Sequence, residues 1–94
     1  MSFSDPSERF RDILDNIERI ERYTAGMSYD AFENDARTRD AVERCLSRIS
    51  EAAIKLDRIG TIASELCPTI PWADIRGIGN HLRHAYDAIE TDEI

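Results

Sequence analysis

The sequence predicts an all-α fold, an antiparallel four-helix bundle that forms a single domain over residues 1–94. Three observations predict it. Apolar residues recur at spacings of three and four, no segment alternates as a strand does, and capping residues, Gly and Pro separate the helical stretches. With only 4 Gly and 3 Pro among 94 residues, the chain has little room for long loops.

The first helix is predicted to begin at Ser4-Asp5-Pro6, since this segment offers a capping side chain, Pro fits the first turn, and Glu8 follows near the positive end of the helix dipole. Gly26 is expected to end it in a left-handed conformation. One apolar stripe is predicted to face the core: Phe10, Ile13, Leu14, Ile17 and Ile20.

A short helical turn after Ser28 leads into a second long helix from about residue 36 to residue 60. Its predicted buried face comprises Val42, Cys45, Leu46, Ile49, Ala53 and Leu56. Residues 61–66 form either a further short helix or a bent continuation past Gly60, and Pro68 ends that element.

The last helix opens at Pro71-Trp72, where Trp72 is predicted to anchor the core. The side chains expected to point inward are Ile75, Ile78, Leu82 and Ile89. Residues 91–93, Thr-Asp-Glu, are typical of a helix cap and a first acidic turn.

The composition bounds the function. A formal charge of −7 excludes a protein that binds nucleic acid through a generally basic surface. Eleven of the 12 basic residues are nonetheless Arg, with Lys55 as the exception, and Arg suits carboxylate and phosphate recognition. Cys45 and Cys67 are too few for a disulfide framework, and neither a signal peptide nor a transmembrane run is visible. We therefore expect a cytoplasmic protein with reduced thiols and no membrane association.

Residues 74–86 differ from the rest of this acidic chain, since they hold two Arg, both His and a single acid. At helical spacing Arg76, Asn80 and His84 lie along one ridge. His81 lies beside the ridge, one turn before His84, and Arg83 directly precedes it. Gly77 and Gly79 should leave a shallow groove beside these side chains.

Three interpretations of the two His remain open. They could be two metal ligands, although no third ligand is well placed nearby. They could be ordinary surface or interface residues that pair with Asp87 or water. A His could instead act as general acid or base while Arg binds a phosphate, and RNA suits this chemistry because its 2′-hydroxyl is an internal nucleophile. We expect neither a metal nor another cofactor.

Three segments carry a recognisable pattern: I-P-W-A-D-I-R-G-I-G-N-H-L-R-H-A-Y-D in the last helix, R-D-I-L-D-N-I-E-R-I in the first, and I-S-E-A-A-I-K-L in the second. Through them nearly the whole chain resembles the HepT-like branch of the HEPN domain family. Within this pattern the W-x-x-I…N-x-x-x-H-x-Y spacing is more specific than any single residue.

The resemblance implies an α-helical homodimer whose R-x4-H motifs meet in a cleft at the dimer interface. Many such proteins are metal-independent ribonuclease toxins of type VII toxin–antitoxin pairs. Their partner, a minimal nucleotidyltransferase, can silence the toxin by adding AMP to the Tyr of R-x4-H-x-Y. Carried over, His84 would be the catalytic residue, Asn80 the polar residue of the motif and Tyr86 the modification site.

The chain departs from the family pattern in two ways. Gly79 occupies the position of the motif Arg, so that Arg76 or Arg83, with His81, would have to bind the RNA phosphate. Family members also usually continue through one more helix, so we expect the last family helix to be truncated here. Two alternatives to a ribonuclease therefore stay open: a catalytically degenerate HEPN module that binds a nucleotidyltransferase or nucleotide, and a helical adaptor.

Overall fold

A computed structural model of the protein describes residues 5–93, and it describes the side chains of residues 5–82. This part of the chain contains helices and no strand, which confirms the all-α prediction. Three helices are long and two are short: α1 (Pro6–Thr24), α2 (Tyr29–Glu33), α3 (Ala36–Ile59), α4 (Ile62–Leu66) and α5 (Trp72–Glu93). None of the described helices is long and apolar enough to cross a membrane.

Short-range capping bonds set the helix starts. The Asp5 carboxylate accepts from the Ser7 N–H at 3.0 Å, as the predicted start of α1 requires. At the start of α3 the Asp35 carboxylate accepts from the Thr38 N–H at 3.1 Å and from the Thr38 hydroxyl at 2.8 Å. Both acids satisfy backbone donors that a helix leaves unpaired in its first turn.

Glycines follow two of the three long helices, α1 and α3, at positions where other residues would be strained. Gly26 follows α1 with a φ of 75°, and Gly60 follows α3 with a φ of 149°. The break at Gly60 settles the alternative left open for residues 61–66, because α4 is a separate short helix rather than a continuation of α3.

α3 is the central helix, with α1 and α5 packed against it. Its predicted buried face is confirmed except at Leu46, which is half-buried. Trp72 is 8% exposed and anchors the start of α5: its Nε1 donates to the Cys67 carbonyl at 3.1 Å, and its ring meets Phe10 edge-on at 6.2 Å. The core around Trp72 comprises Ala53, Leu56 and Ala63, with Phe10, Ile13, Cys67 and Ile75 packed against it.

The predicted apolar stripe of α1 is wrong at two positions. Leu14 is 65% exposed and Ile17 is 42% exposed, whereas Asn16 is buried. α1 packs on α3 through the face that carries Phe10, Ile13 and Asn16, and the 100° step per residue turns Leu14 away from that contact.

The predicted end of the last helix is also wrong, because α5 continues through residues 91–93 to Glu93. The Thr-Asp-Glu sequence resembles a cap. No Gly or Pro lies between Gly79 and Thr91, however, so no residue there interrupts the hydrogen bonds of the helix. The side chain of Ile89, predicted to point inward, lies outside the described residues.

The Asp35 cap makes the stability of the fold depend on pH. Hydrogen bonds from the Thr38 N–H and hydroxyl hold the pKa of Asp35 below its ordinary value of 3.8. Because the folded-state pKa is the lower one, this stabilisation is complete above pH 3.8 and is lost as the pH falls below it.

We expect Asp35→Ala to lower the Tm at neutral pH and to lower it much less at about pH 2.5. Asp35→Asn, which can cap but does not titrate, is the control; a Tm loss in Asp35→Ala that is equal at both pH values contradicts the assignment.

Candidate active site

A groove of about 470 Å³ runs between α3 and α5. α3 forms one wall and the first half of α5 forms the other. The wall from α3 comprises Arg44, Ser47, Arg48, Ser50, Glu51 and Ile54, and the wall from α5 comprises Arg76, Gly79 and Asn80.

Ser50 joins the two walls. Its side chain is 2% exposed, and its hydroxyl donates to the Arg76 carbonyl at 2.9 Å while it accepts from the Gly79 N–H at 3.3 Å. The two backbone groups lie three residues apart on α5, so one hydroxyl fixes both the height and the rotation of α5 on α3. Because Gly79 has no side chain, its backbone can approach α3 closely.

Arg76 is partly engaged within the protein. Its guanidinium lies 3.6 Å from the Asp57 carboxylate, and the two side chains are 32% and 60% exposed. An ion pair this exposed contributes little to stability. The carboxylate nonetheless offsets much of the charge that Arg76 brings to the groove.

Arg44 and Arg48 add two further guanidinium groups from α3, and both residues are exposed. Among the described residues neither forms an ion pair with a carboxylate. One carboxylate, Glu51, also lines the groove, so the guanidinium groups outnumber it. The groove can therefore attract an anion although the whole chain is acidic.

The structure brings together two of the residues predicted from the sequence, Arg76 and Asn80. His81 is exposed and does not line the groove; its ring lies 3.8 Å from the place a Cβ on Gly77 would occupy. α5 continues through positions 83, 84 and 86, but the side chains of Arg83, His84 and Tyr86 lie outside the described residues. The helix places the backbone of position 84 one turn beyond Asn80.

Sequence reasoning missed the α3 wall. Arg44, Arg48 and Glu51 follow one another at helical spacing beside the buried stripe, a pattern that is usual for a solvated helix face. A signal was present in Ser50, which interrupts an otherwise apolar buried face. A buried hydroxyl needs a partner, and in this position it indicates a helix packed closely on α3.

A second, smaller groove of about 260 Å³ lies between α1 and α3 and shares Arg48 and Glu51 with the first. Asn16 lines it, donating from Nδ2 to the Asp12 carbonyl at 2.7 Å. The Asn16 Oδ1 is buried without a hydrogen-bond partner. Within residues 5–82 no three His, Cys, Asp or Glu side chains are arranged to hold a metal ion.

The chain was compared with models of protein families. Residues 13–94 match the model of the family described as Ribonuclease HepT-like. The chain belongs to the HepT-like ribonuclease family. The match covers α3 and α5, and therefore both walls of the groove. No solved structure matches the chain significantly.

Archaeal proteins named as ribonucleases are similar to this chain. It is 33% identical over 79 residues to the Methanocaldococcus jannaschii protein MJ1216, whose name assigns it to the RNases; the match covers 84% of this chain and 63% of that protein. It is 34% identical over 80 residues to a Thermococcus cleftensis protein named as a ribonuclease HepT, a match that covers 85% of this chain and 70% of that protein. MJ1380 of Methanocaldococcus jannaschii, also named as an RNase, is 32% identical over 90 residues, a match that covers 96% of this chain and 80% of that protein. The matches thus cover between 63% and 80% of the length of these relatives, less than two thirds in the case of MJ1216.

The Ser50 bridge predicts a measurable loss of stability. In Ser50→Ala the Gly79 N–H and the Arg76 carbonyl lose their bonds to α3, although both groups remain inside the continuous helix α5. We expect the free energy of unfolding in urea to fall by about 0.5–1.5 kcal/mol, the net contribution of a hydrogen bond. Ser47→Ala is the matched control, since Ser47 lines the same groove but has no hydrogen bond among the described residues. A Ser50→Ala variant as stable as the control would show that the bridge does not hold the helices together.

Proposed function

We propose that the protein is a metal-independent endoribonuclease that acts as a homodimer in the cytoplasm. The observation that carries this proposal is the cationic groove between α3 and α5, in a chain of the HepT-like ribonuclease family. The ridge of α5 supplies Arg76 and Asn80 to that groove, and the same helix carries His84 one turn further along. A titratable side chain beside fixed positive charge is the set of groups that RNA cleavage needs.

In the proposed reaction His84 takes the proton from a 2′-hydroxyl of the RNA. The 2′-oxygen then attacks the adjacent phosphorus, the bond from phosphorus to the 5′-oxygen breaks, and the proton passes from His84 to that leaving oxygen. The products are a 2′,3′-cyclic phosphate and a 5′-hydroxyl. A cationic side chain neutralises the charge that builds up on the phosphate oxygens: Arg76 in the groove, or Arg83 or His81, which lie near His84 in the sequence. Asn80 orients the phosphate as a neutral hydrogen-bond donor.

Such an activity needs a control mechanism, because unrestricted RNA cleavage is toxic to the cell that contains it. We propose that the protein is the toxin of a toxin–antitoxin pair and that its partner is a minimal nucleotidyltransferase. The partner would silence it by adding AMP to the hydroxyl of Tyr86. Position 86 follows position 84 by two residues on the same helix, about 200° around its axis, so a bulky, charged nucleotide there would lie near the RNA site but on the other side of α5.

A second function is favoured by Gly79. The groove lacks a guanidinium at the position where the family motif carries Arg, which is what a catalytically degenerate module that binds a nucleotidyltransferase or a nucleotide would show. Gly79→Arg separates the two functions: a large gain in RNA cleavage, from an undetectable level, identifies the degenerate module. A wild type that already cleaves RNA identifies the enzyme.

The proposed catalytic role of His84 predicts that His84→Ala cleaves single-stranded RNA about 10²–10⁴-fold more slowly than the wild type, with RNA affinity largely retained. The assay follows cleavage of labelled RNA, with a chelator present so that metal-dependent contaminants do not contribute. Arg39→Ala is the matched control, since Arg39 is exposed and lines neither groove. Equal rates for the wild type and His84→Ala would refute the role of His84.

The proposed regulation predicts a mass increase of one AMP when the protein is incubated with ATP and a minimal nucleotidyltransferase of the proposed partner class. Tyr86→Phe should abolish this increase because the variant lacks the accepting oxygen. Tyr29→Phe should not, although Tyr29 is 75% exposed and so is open to non-specific modification. Intact-mass spectrometry and peptide mapping measure the outcome, and modification that persists in Tyr86→Phe contradicts the assignment.

A further inference from the structure

We propose that Arg44 and Arg48 of α3 bind the RNA phosphates in the groove and supply most of its positive charge. This inference rests on the proposed RNA substrate, but it assigns the binding to a different helix from the one that carries the motif. Neither residue belongs to the α5 ridge, and both line the same groove as Arg76 and Asn80.

The packing of the two helices places Arg44 and Arg48 beside the reactive half of α5. α3 and α5 run antiparallel, since Asp57 pairs with Arg76 whereas Ser50, earlier on α3, bonds Gly79, later on α5. Positions still earlier on α3 therefore face positions still later on α5. Arg48 and then Arg44 follow in that direction, toward the level of position 84.

The charges in the groove also favour the α3 arginines over Arg76. Asp57 holds the Arg76 guanidinium at 3.6 Å, so a phosphate at Arg76 would compete with a carboxylate that is already in place. Arg44 and Arg48 form no such pair among the described residues. Their forked guanidinium groups can each donate two hydrogen bonds to one phosphate.

The spacing of the two arginines suits a single RNA strand. They are four residues apart on one helix, which separates their backbone positions by about 6 Å along the axis and leaves both on the same face. Successive phosphates of one strand can therefore contact successive arginines. Glu51, one turn after Arg48 on α3, also lines the groove. Its carboxylate offsets positive charge at that end, so the excess of positive charge lies nearer Arg44.

The binding test uses Arg44→Gln and Arg48→Gln, which remove the charge from exposed positions and should leave the fold intact. Arg39→Gln is the matched control, because Arg39 is an exposed arginine of α3 that lines neither groove. The probe is a fluorescent single-stranded RNA whose 2′-oxygens are methylated, so that it binds without being cleaved. Its affinity is measured by fluorescence anisotropy over a series of salt concentrations.

We expect each groove variant to bind the probe about tenfold more weakly and to lose about 0.7 from the slope of log K against log salt, the value for one phosphate contact on single strands. Arg39→Gln should match the wild type in both. Groove variants that bind with wild-type affinity and slope would overturn the proposal, as would a wild type that does not bind the probe.

Cleavage of unmethylated RNA by the same proteins separates this proposal from the proposed function. If the wild type cleaves RNA and the groove variants cleave and bind equally well, the ribonuclease function stands and the role of Arg44 and Arg48 fails. If the wild type binds the probe through these arginines but cleaves nothing, the phosphate-binding role stands and the ribonuclease function fails.

Discussion

The hydroxyl of Ser50 is the contact on which the site depends. It is buried between α3 and α5 and bonds two backbone groups of α5, the Arg76 carbonyl and the Gly79 N–H. Apolar packing around Trp72 holds the start of α5 against the core, but packing is non-directional and allows a helix to slide or rotate. Two hydrogen bonds to one hydroxyl remove that freedom, since a shift by a single residue would break both. The groove and the orientation of its walls follow from this register, that is, from the fixed position and rotation of α5 on α3.

The register explains how an acidic protein can present a site for an anion. The chain carries a formal charge of −7, yet among the residues whose side chains are described three arginines, Arg44, Arg48 and Arg76, line the groove with one carboxylate, Glu51, while Asp57 pairs with Arg76. Nearby charges dominate inside a cleft, because interactions between exposed charges more than about 8 Å apart are largely screened at physiological salt. The acids elsewhere on the surface therefore disfavour indiscriminate binding of nucleic acid, and they leave room for the proposed binding of RNA in the groove. The composition excludes a protein that binds nucleic acid through a generally basic surface. The structure shows that arginines are nonetheless clustered in the groove.

The sequence predicts the elements of this fold well, and it predicts one wall of the site. Helix starts at Asp5 and Asp35 and breaks at Gly26 and Gly60 depend on local interactions, which can be read from a few neighbouring residues. The α3 wall could not be predicted in this way, since which face of a helix meets another depends on contacts between residues far apart in the chain, such as Ser50 and Gly79. The same limit accounts for the exposed Leu14, whose apolar character fits a buried stripe while the packing of α1 on α3 turns it outward.

The most direct test of this account is to observe which arginines contact RNA. Nuclear magnetic resonance of the arginine Nε–Hε groups, during titration with a short RNA that cannot be cleaved, reports each guanidinium separately. The account predicts large, saturable shifts for Arg44 and Arg48, a smaller shift for Arg76, which lies beside Asp57, and none for Arg39 on the same central helix. Shifts spread evenly over the surface arginines, or confined to residues outside the groove, would contradict the claim that the cleft between α3 and α5 is the site where this protein binds RNA.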